Sequence, residues 1–151
     1  MPQLHSPDVA IVGCGLIGNK RANALASSGP RYACDTDLQR ASNLAARFPH
    51  CTPTDSLDLI LDDPNVRIVV ISASNAALAP LAASAIQAGK HVLIEKPGAI
   101  SSLQLRQLLA LATLHQRHVA IGYNHRFHPA LQKARELIDS GLTGSLLLSL
   151  I

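Results

Sequence analysis

Aromatic side chains are nearly missing from this 151-residue chain, which has no Trp, two Tyr and two Phe. Proteins that grip nucleic acid stack bases on aromatics set among basic groups. Here the longest Lys/Arg run is Lys20-Arg21, so a nucleic-acid partner is not expected. Charge is sparse at 15%, against 48% apolar residues, which excludes a disordered tail or a fibrous protein. The net charge of +3 is uneven: residues 1–75 carry six Lys/Arg against seven Asp/Glu, and residues 76–151 carry seven against three. Cysteine is scarce too. Cys14, Cys34 and Cys51 form no Cys-x-x-Cys pair, which argues against a disulfide scaffold and suits a reducing cytoplasm. No metal site is expected. Met1 to Asp8 lacks a basic segment followed by an apolar one, so no signal peptide is expected. The 22 residues from Ile68 to Gly89 carry no charge, long enough to span a bilayer. Ser72, Ser74, Asn75, Pro80, Ser84 and Gln87 interrupt them, so a strand followed by a small-residue helix is the better reading, with no membrane partner.

What remains is a chain of about one domain that can bury a core of Ala, Leu, Ile and Val. Apolar runs alternate with helical patterns. Val9 to Val12 reads as a strand buried on both faces. Ile17 to Ser28 reads as a helix closed by Gly29-Pro30. Tyr32 to Cys34 is a second strand, and Asp37 caps a helix to about Phe48. A weak strand lies near His50–Thr52, then Thr54 or Asp55 caps a short helix through Leu61. Val66 to Ser72 is the strongest strand. Asn75 to Ala88 is helical and stops at Gly89. His91 to Ile94 is a fifth strand, and Ser101 or Ser102 caps a Leu-rich helix to about Gln116. Val119 to Tyr123 is a sixth strand, Pro129 opens a last helix, and Ser145 to Ile151 reads as one more strand. Such alternation predicts an open α/β parallel sheet, doubly wound, with helices on both faces.

Gly13-Cys14-Gly15-Leu16-Ile17-Gly18 is a G-x-G-x-x-G that follows the first strand and opens a helix, the context a dinucleotide needs. Gly13 serves the tight turn, Gly15 the close approach of a pyrophosphate, and Gly18 helix–strand packing. The helix N-terminus offers N–H groups and partial positive charge to phosphate. Asp35 ends the second strand 22 positions after Gly13, near the ~20-residue offset of the carboxylate that binds an adenosine ribose. It would repel a 2′-phosphate, and Thr36 and Asp37 follow it, so NAD is expected over NADP. Arg40, one turn on, reads as a solvated surface residue. These features make the fold class Rossmann-type.

Four segments together resemble the Gfo/Idh/MocA oxidoreductase family: Gly13 to Gly18, Cys34-Asp35-x-Asp37, Ala88-Gly89-Lys90-His91-Val92-Leu93-Ile94-Glu95-Lys96-Pro97, and Gly122-Tyr123-Asn124-His125-Arg126-Phe127-His128-Pro129. The resemblance implies a nicotinamide-dependent oxidoreductase of the sugar or cyclitol type, moving hydride to or from a secondary alcohol carbon. It implies Lys96 as the catalytic residue, reaching the substrate hydroxyl. Cofactor contacts are implied for Gly13, Gly15, Leu16, Ile17, Gly18, Asp35, Ala73, Ser74, Asn75, Glu95, Lys96 and Asn124. Pro97 follows a cis peptide in many relatives. The expected organisation is a cofactor domain over 1–124, then a linker helix and first strand of a substrate domain over 125–151.

Two departures stand out. Relatives carry Thr-Pro-Asn before the fourth helix and a His three residues after that Asn; here the positions read Ala73-Ser74-Asn75 and Leu78. Relatives also draw a general-base His, with an Asp nearby, from a second domain. None of His115, His118, His125 and His128 matches that position. The chain is therefore expected to be a fragment, inactive alone, of an enzyme active at full length. A non-catalytic nucleotide-binding module is the other reading. A methyltransferase using S-adenosylmethionine is opposed by the glycine spacing and by Glu95-Lys96-Pro97. Homo-oligomers, or self-association through the apolar tail, are expected.

Overall fold

The computed structural model describes residues 8–25 and 28–145. Strand β1 (Asp8–Val12) leads into helix α1 (Leu16–Ala24), and β2 (Tyr32–Cys34) into α2 (Leu38–Ala45). Then follow β3 (Thr52–Thr54), α3 (Leu57–Asp62), β4 (Val66–Ile71) and α4 (Asn75–Gln87). β5 (His91–Ile94), α5 (Ser102–Leu114), β6 (Val119–Ile121), a 3-10 turn (Asn124–Phe127) and α6 (Pro129–Asp139) complete the described chain.

All six strands are parallel, in the order β3-β2-β1-β4-β5-β6. The strands are apolar throughout because both faces are covered. Ala10, Val12, Val69, Ile71, Val92 and Ile94 point to one face, packed with Ile60 of α3, Leu78, Ala82 and Ile86 of α4, and Leu108 and Ala112 of α5. Ile11, Ala33 and Val70 point to the other, against Ala22 of α1 and Ala41, Leu44 and Ala45 of α2. The small residues on α1 and α2 let these helices lie close to the sheet. Aliphatic burial of this kind stabilises by about 25 cal/mol per Å², and it does so here without a buried aromatic cluster.

Register aligns the carboxyl ends. Val12 lies beside Cys34 and Ile71, Ile71 beside Ile94, and Ile94 beside Ile121. The next residue of each strand, namely Gly13, Asp35, Ser72, Glu95 and Gly122, therefore falls on one edge of the sheet. The chain leaves β1 toward β2 on one side of the sheet and leaves β4 toward β5 on the other, so a crevice opens between the carboxyl ends of these two parallel strands.

Several caps match the pattern reading. Asp37 accepts from Gln39 N–H at 3.0 Å, and Ser101 accepts from Gln104 N–H at 3.3 Å. Pro129 takes the first turn of α6. Other expectations shift. α1 stops at Ala24, not Ser28, because Leu25 is already extended at φ −72°, ψ 149°. The third strand lies at Thr52–Thr54 and not at His50–Thr52; Pro53 is tolerated there because β3 is an edge strand. Its helix starts from Ser56, while Thr54 Oγ1 accepts from Ser56 N–H at 3.0 Å. The charge-free stretch divides into β4 and α4, and no described helix is long and apolar enough to cross a membrane. The expected tail strand at Ser145 to Ile151 falls, beyond its first residue, outside the described residues.

Candidate functional site

The turn after β1 is built so that two of its glycines are sterically required and the third faces open space. Gly13 has φ +93°, and a Cβ there would meet Ser72 O at 2.5 Å. A Cβ on Gly18 would meet Gly13 O at 1.9 Å. A Cβ on Gly15 would meet nothing within 4 Å. Gly15 is the N-cap of α1 and offers no side chain to its first turn, so those N–H groups stay available to a ligand. Leu16 and Ile17 open the helix and are 73% and 39% exposed.

Three side chains brace the turn. Asp35 Oδ2 accepts from Cys14 N–H at 2.7 Å, and its Oδ1 accepts from Asp37 N–H at 3.0 Å. Ser72 Oγ donates to Gly13 O at 2.7 Å. Asn19 Nδ2 donates to Cys14 O at 2.8 Å and Gly15 O at 3.0 Å, while Arg47 donates to Asn19 Oδ1 at 2.6 Å. The turn's carbonyls are thus occupied by Ser72 and Asn19. Burial, with the Asp35 charge nearby, pushes the Cys14 thiol up to about 12. Cys14 is therefore neutral filler that donates to Cys34 O at 3.4 Å.

A cleft of about 450 Å³ opens over this turn, lined among others by Gly13, Gly15, Asp35, Arg40, Ala73 and Ser74. Five of the expected cofactor residues therefore share one wall. Ser72, Thr36, Asp55, Leu57, Ala77 and Leu81 also line it, positions at which the sequence alone predicts no ligand contact. Leu57, Ala77 and Leu81 add apolar side chains to that lining. Arg40 pairs with Asp37 at 3.3 Å across an exposed surface. Leu78, which departs from the family pattern, is fully buried in the core under α4. Asn75 opens α4 with its side chain exposed and is not part of the cleft wall.

Glu95, Lys96 and Asn124 lie along the same edge but outside that wall. Lys96 is exposed, Glu95 is buried, and the Lys96–Pro97 peptide is cis. Arg21 of α1 forms an ion pair with Glu95 and donates to Asn124 Oδ1 at 2.7 Å. Nothing in the sequence around Arg21 marks it as a site residue. It lies 74 positions from one partner and 103 from the other, so local pattern carries no sign of the link. Lys90, from the same run as Lys96, points elsewhere: its Nζ donates to Asp63 O at 2.7 Å. His115 caps the end of α5, and His128 caps α6 by accepting from Ala130 N–H at 3.3 Å.

A dinucleotide fits these features: a glycine with open space above it at a helix start, a carboxylate at the end of β2, and a crevice where strand order reverses. Comparison with known proteins agrees. The family model described as oxidoreductase family, NAD-binding Rossmann fold (Gfo/Idh/MocA) matches residues 8–123. Inositol 2-dehydrogenase 2 of Saccharopolyspora erythraea is 32% identical over 146 residues, covering 93% of this chain and 43% of that protein. A 1-carboxy-3-chloro-3,4-dihydroxycyclohexa-1,5-diene dehydrogenase of Comamonas testosteroni is 33% identical over 112 residues, covering 74% of this chain and 28% of that protein. The crystal structure of GenD2 from gentamicin A biosynthesis, in complex with NAD, superposes with a TM-score of 0.85 at 35% identity, covering 92% of this chain and 40% of that one. The chain spans less than half the length of each of these relatives. With the sheet order, the glycine turn and the family match in agreement, this chain belongs to the Gfo/Idh/MocA oxidoreductases and carries their NAD-binding Rossmann domain.

Proposed function

We propose that this chain is the cofactor-binding part of a dehydrogenase acting on a secondary alcohol of a sugar or cyclitol, with NAD preferred over NADP. The observation that carries the reading is the Gly15 opening beside the Asp35 carboxylate, both facing one cleft. The amides of the first α1 turn bind the pyrophosphate, aided by the helix dipole. Asp35 keeps lone pairs beyond the two amides that it already accepts from, and these take the adenosine ribose hydroxyls. A 2′-phosphate meets that carboxylate and Asp37, and Arg40, although it lines the cleft, has its charge offset by its ion pair with Asp37. Gly13, Gly18, Ala73, Ser74 and Asn75 shape the crevice, Leu16 and Ile17 contribute backbone, and Glu95 and Asn124 border the nicotinamide end.

The bound nicotinamide supplies the hydride acceptor or donor. Lys96 holds the substrate hydroxyl and helps move its proton as the carbon changes oxidation state. The general base is not assigned to any residue of this chain. Residues 1–124 form the cofactor domain in this reading, and residues 125–151 a linker helix and first strand toward substrate-binding structure. We place the protein in the cytoplasm and expect association between copies through the tail.

Titration with NADH and NADPH tests the reading. Saturable NADH binding below millimolar, with weaker NADPH binding, supports it. No saturable binding, or a clear NADPH preference, defeats it. A reading frame ending just after Ile151 favours the non-catalytic module, and one continuing for another domain length favours the enzyme.

A further inference from the structure

We propose that Arg21 is a positioning residue for the nicotinamide half of the site, acting through Glu95 and Asn124 on the turn that carries Lys96. The proposal rests on the cofactor reading above.

Glu95 is 7% exposed. Burying a carboxylate at that depth is costly unless a charged or hydrogen-bonded partner offsets the lost hydration. Arg21 supplies one: both Nε and Nη2 reach Glu95 Oε1, and Nη2 also donates to Asn124 Oδ1 at 2.7 Å. The fork of a guanidinium can serve two acceptors at once, which a lysine ammonium does less well. Gly122 closes the arrangement, since a Cβ there would lie 2.9 Å from both Arg21 Nη2 and Glu95 Oε1. The backbone of Glu95 is fixed as well. Its N–H donates to Ile71 O at 2.9 Å, and its C=O accepts from Gly98 N–H at 2.9 Å. That second bond closes the turn holding Lys96 and Pro97.

One guanidinium therefore ties α1, whose start is the phosphate turn, to the ends of β5 and β6. It lies behind the proposed nicotinamide end and not beside the adenosine. Without Arg21, Glu95 is a buried charge with no counter-ion, and the Lys96 turn loses its side-chain anchor. The adenosine half, held by Gly15 and Asp35, shares none of these bonds.

ADP-ribose, which lacks the nicotinamide, separates the two halves. We expect wild type to bind NADH more tightly than ADP-ribose by calorimetry. Arg21→Ala weakens NADH at least tenfold and changes ADP-ribose less than twofold. Arg21→Lys recovers part of the NADH affinity. In the double variant Arg21→Ala/Glu95→Gln no buried carboxylate is left unpaired, so it folds even if Arg21→Ala alone does not; it too loses NADH affinity selectively. Equal loss of both ligands, or NADH binding unchanged in the double variant, overturns the inference while leaving the cofactor reading intact. A wild-type chain that binds neither ligand overturns both.

Discussion

Cys14 N–H donates to Asp35 Oδ2 at 2.7 Å, so the carboxylate proposed to hold the ribose is also the clasp that fixes the glycine turn. Stability and binding are thereby linked at one side chain. Asp35→Ala should lower stability by about 1–2 kcal/mol through the lost charged hydrogen bonds and weaken NADH by about tenfold or more. Paired denaturation and NADH titrations check this. A variant that loses binding but no stability would show that the clasp contributes nothing to the fold.

The three glycines separate packing from ligand contact. In Gly18→Ala the new Cβ is driven to 1.9 Å from Gly13 O, a backbone atom that cannot swing away, so we expect a loss of about 3 kcal/mol or failure to fold. Gly15→Ala has an open site and an ordinary φ of −71°. Its stability should stay within about 0.5 kcal/mol of wild type, while NADH binding falls because the methyl group occupies the space of the pyrophosphate. Urea melts and NADH titration read the two effects separately.

Asp63 predicts a specific acid limb. Burial alone would raise its pKa, but hydrogen bonds from Asn65, Arg31 and Tyr32 and the Arg31 charge outweigh it, lowering the carboxyl from 3.8 to about 2. A depressed folded-state pKa gives stability that is fully present above the unfolded value and is lost as pH falls through the folded one. Wild type should therefore lose this contribution between about pH 4 and pH 2. Asp63→Asn should be less stable at neutral pH and show a shallower fall over that window, as measured by thermal melts across the acid range.

Thiol chemistry gives an independent check on packing. Burial pushes Cys34 and Cys51 up to about 11, with nearby Asp35 and Asp55 adding to the effect at Cys34. Cys14 lies higher still, at about 12. Thiolate is the reactive form, so all three should react slowly with a disulfide reagent at pH 8 in the folded protein and rapidly after unfolding. Cys51, which is only half-buried, should react first. Fast labelling of Cys14 in the native chain would contradict the packing of the glycine turn.

The order of strands and helices was legible because it depends on local signals: the apolar run of β1, the Asp37 and Ser101 caps, the Gly89 stop. The glycine turn and Asp35 were legible because the motif's spacing encodes its geometry. Arg21, Asn19 and Ser72 were not. Each acts through a bond to another element, such as Ser72 Oγ to Gly13 O across 59 positions, and nothing nearby in the sequence marks it. β3 was misplaced by two residues because Pro53 weakens a strand pattern unless the strand is known to lie on an edge. Leu78 shows the reverse case, where departure from a family pattern marks a fully buried core position.

The measurement closest to the central claim is amide chemical-shift mapping by NMR as NAD is added. The largest shifts should fall at Gly15 to Gly18 and around Asp35, with lesser shifts at Ala73 and Ser74 and little change in α6. Absence of shifts at the glycine turn, or shifts confined to another face of the sheet, would contradict it.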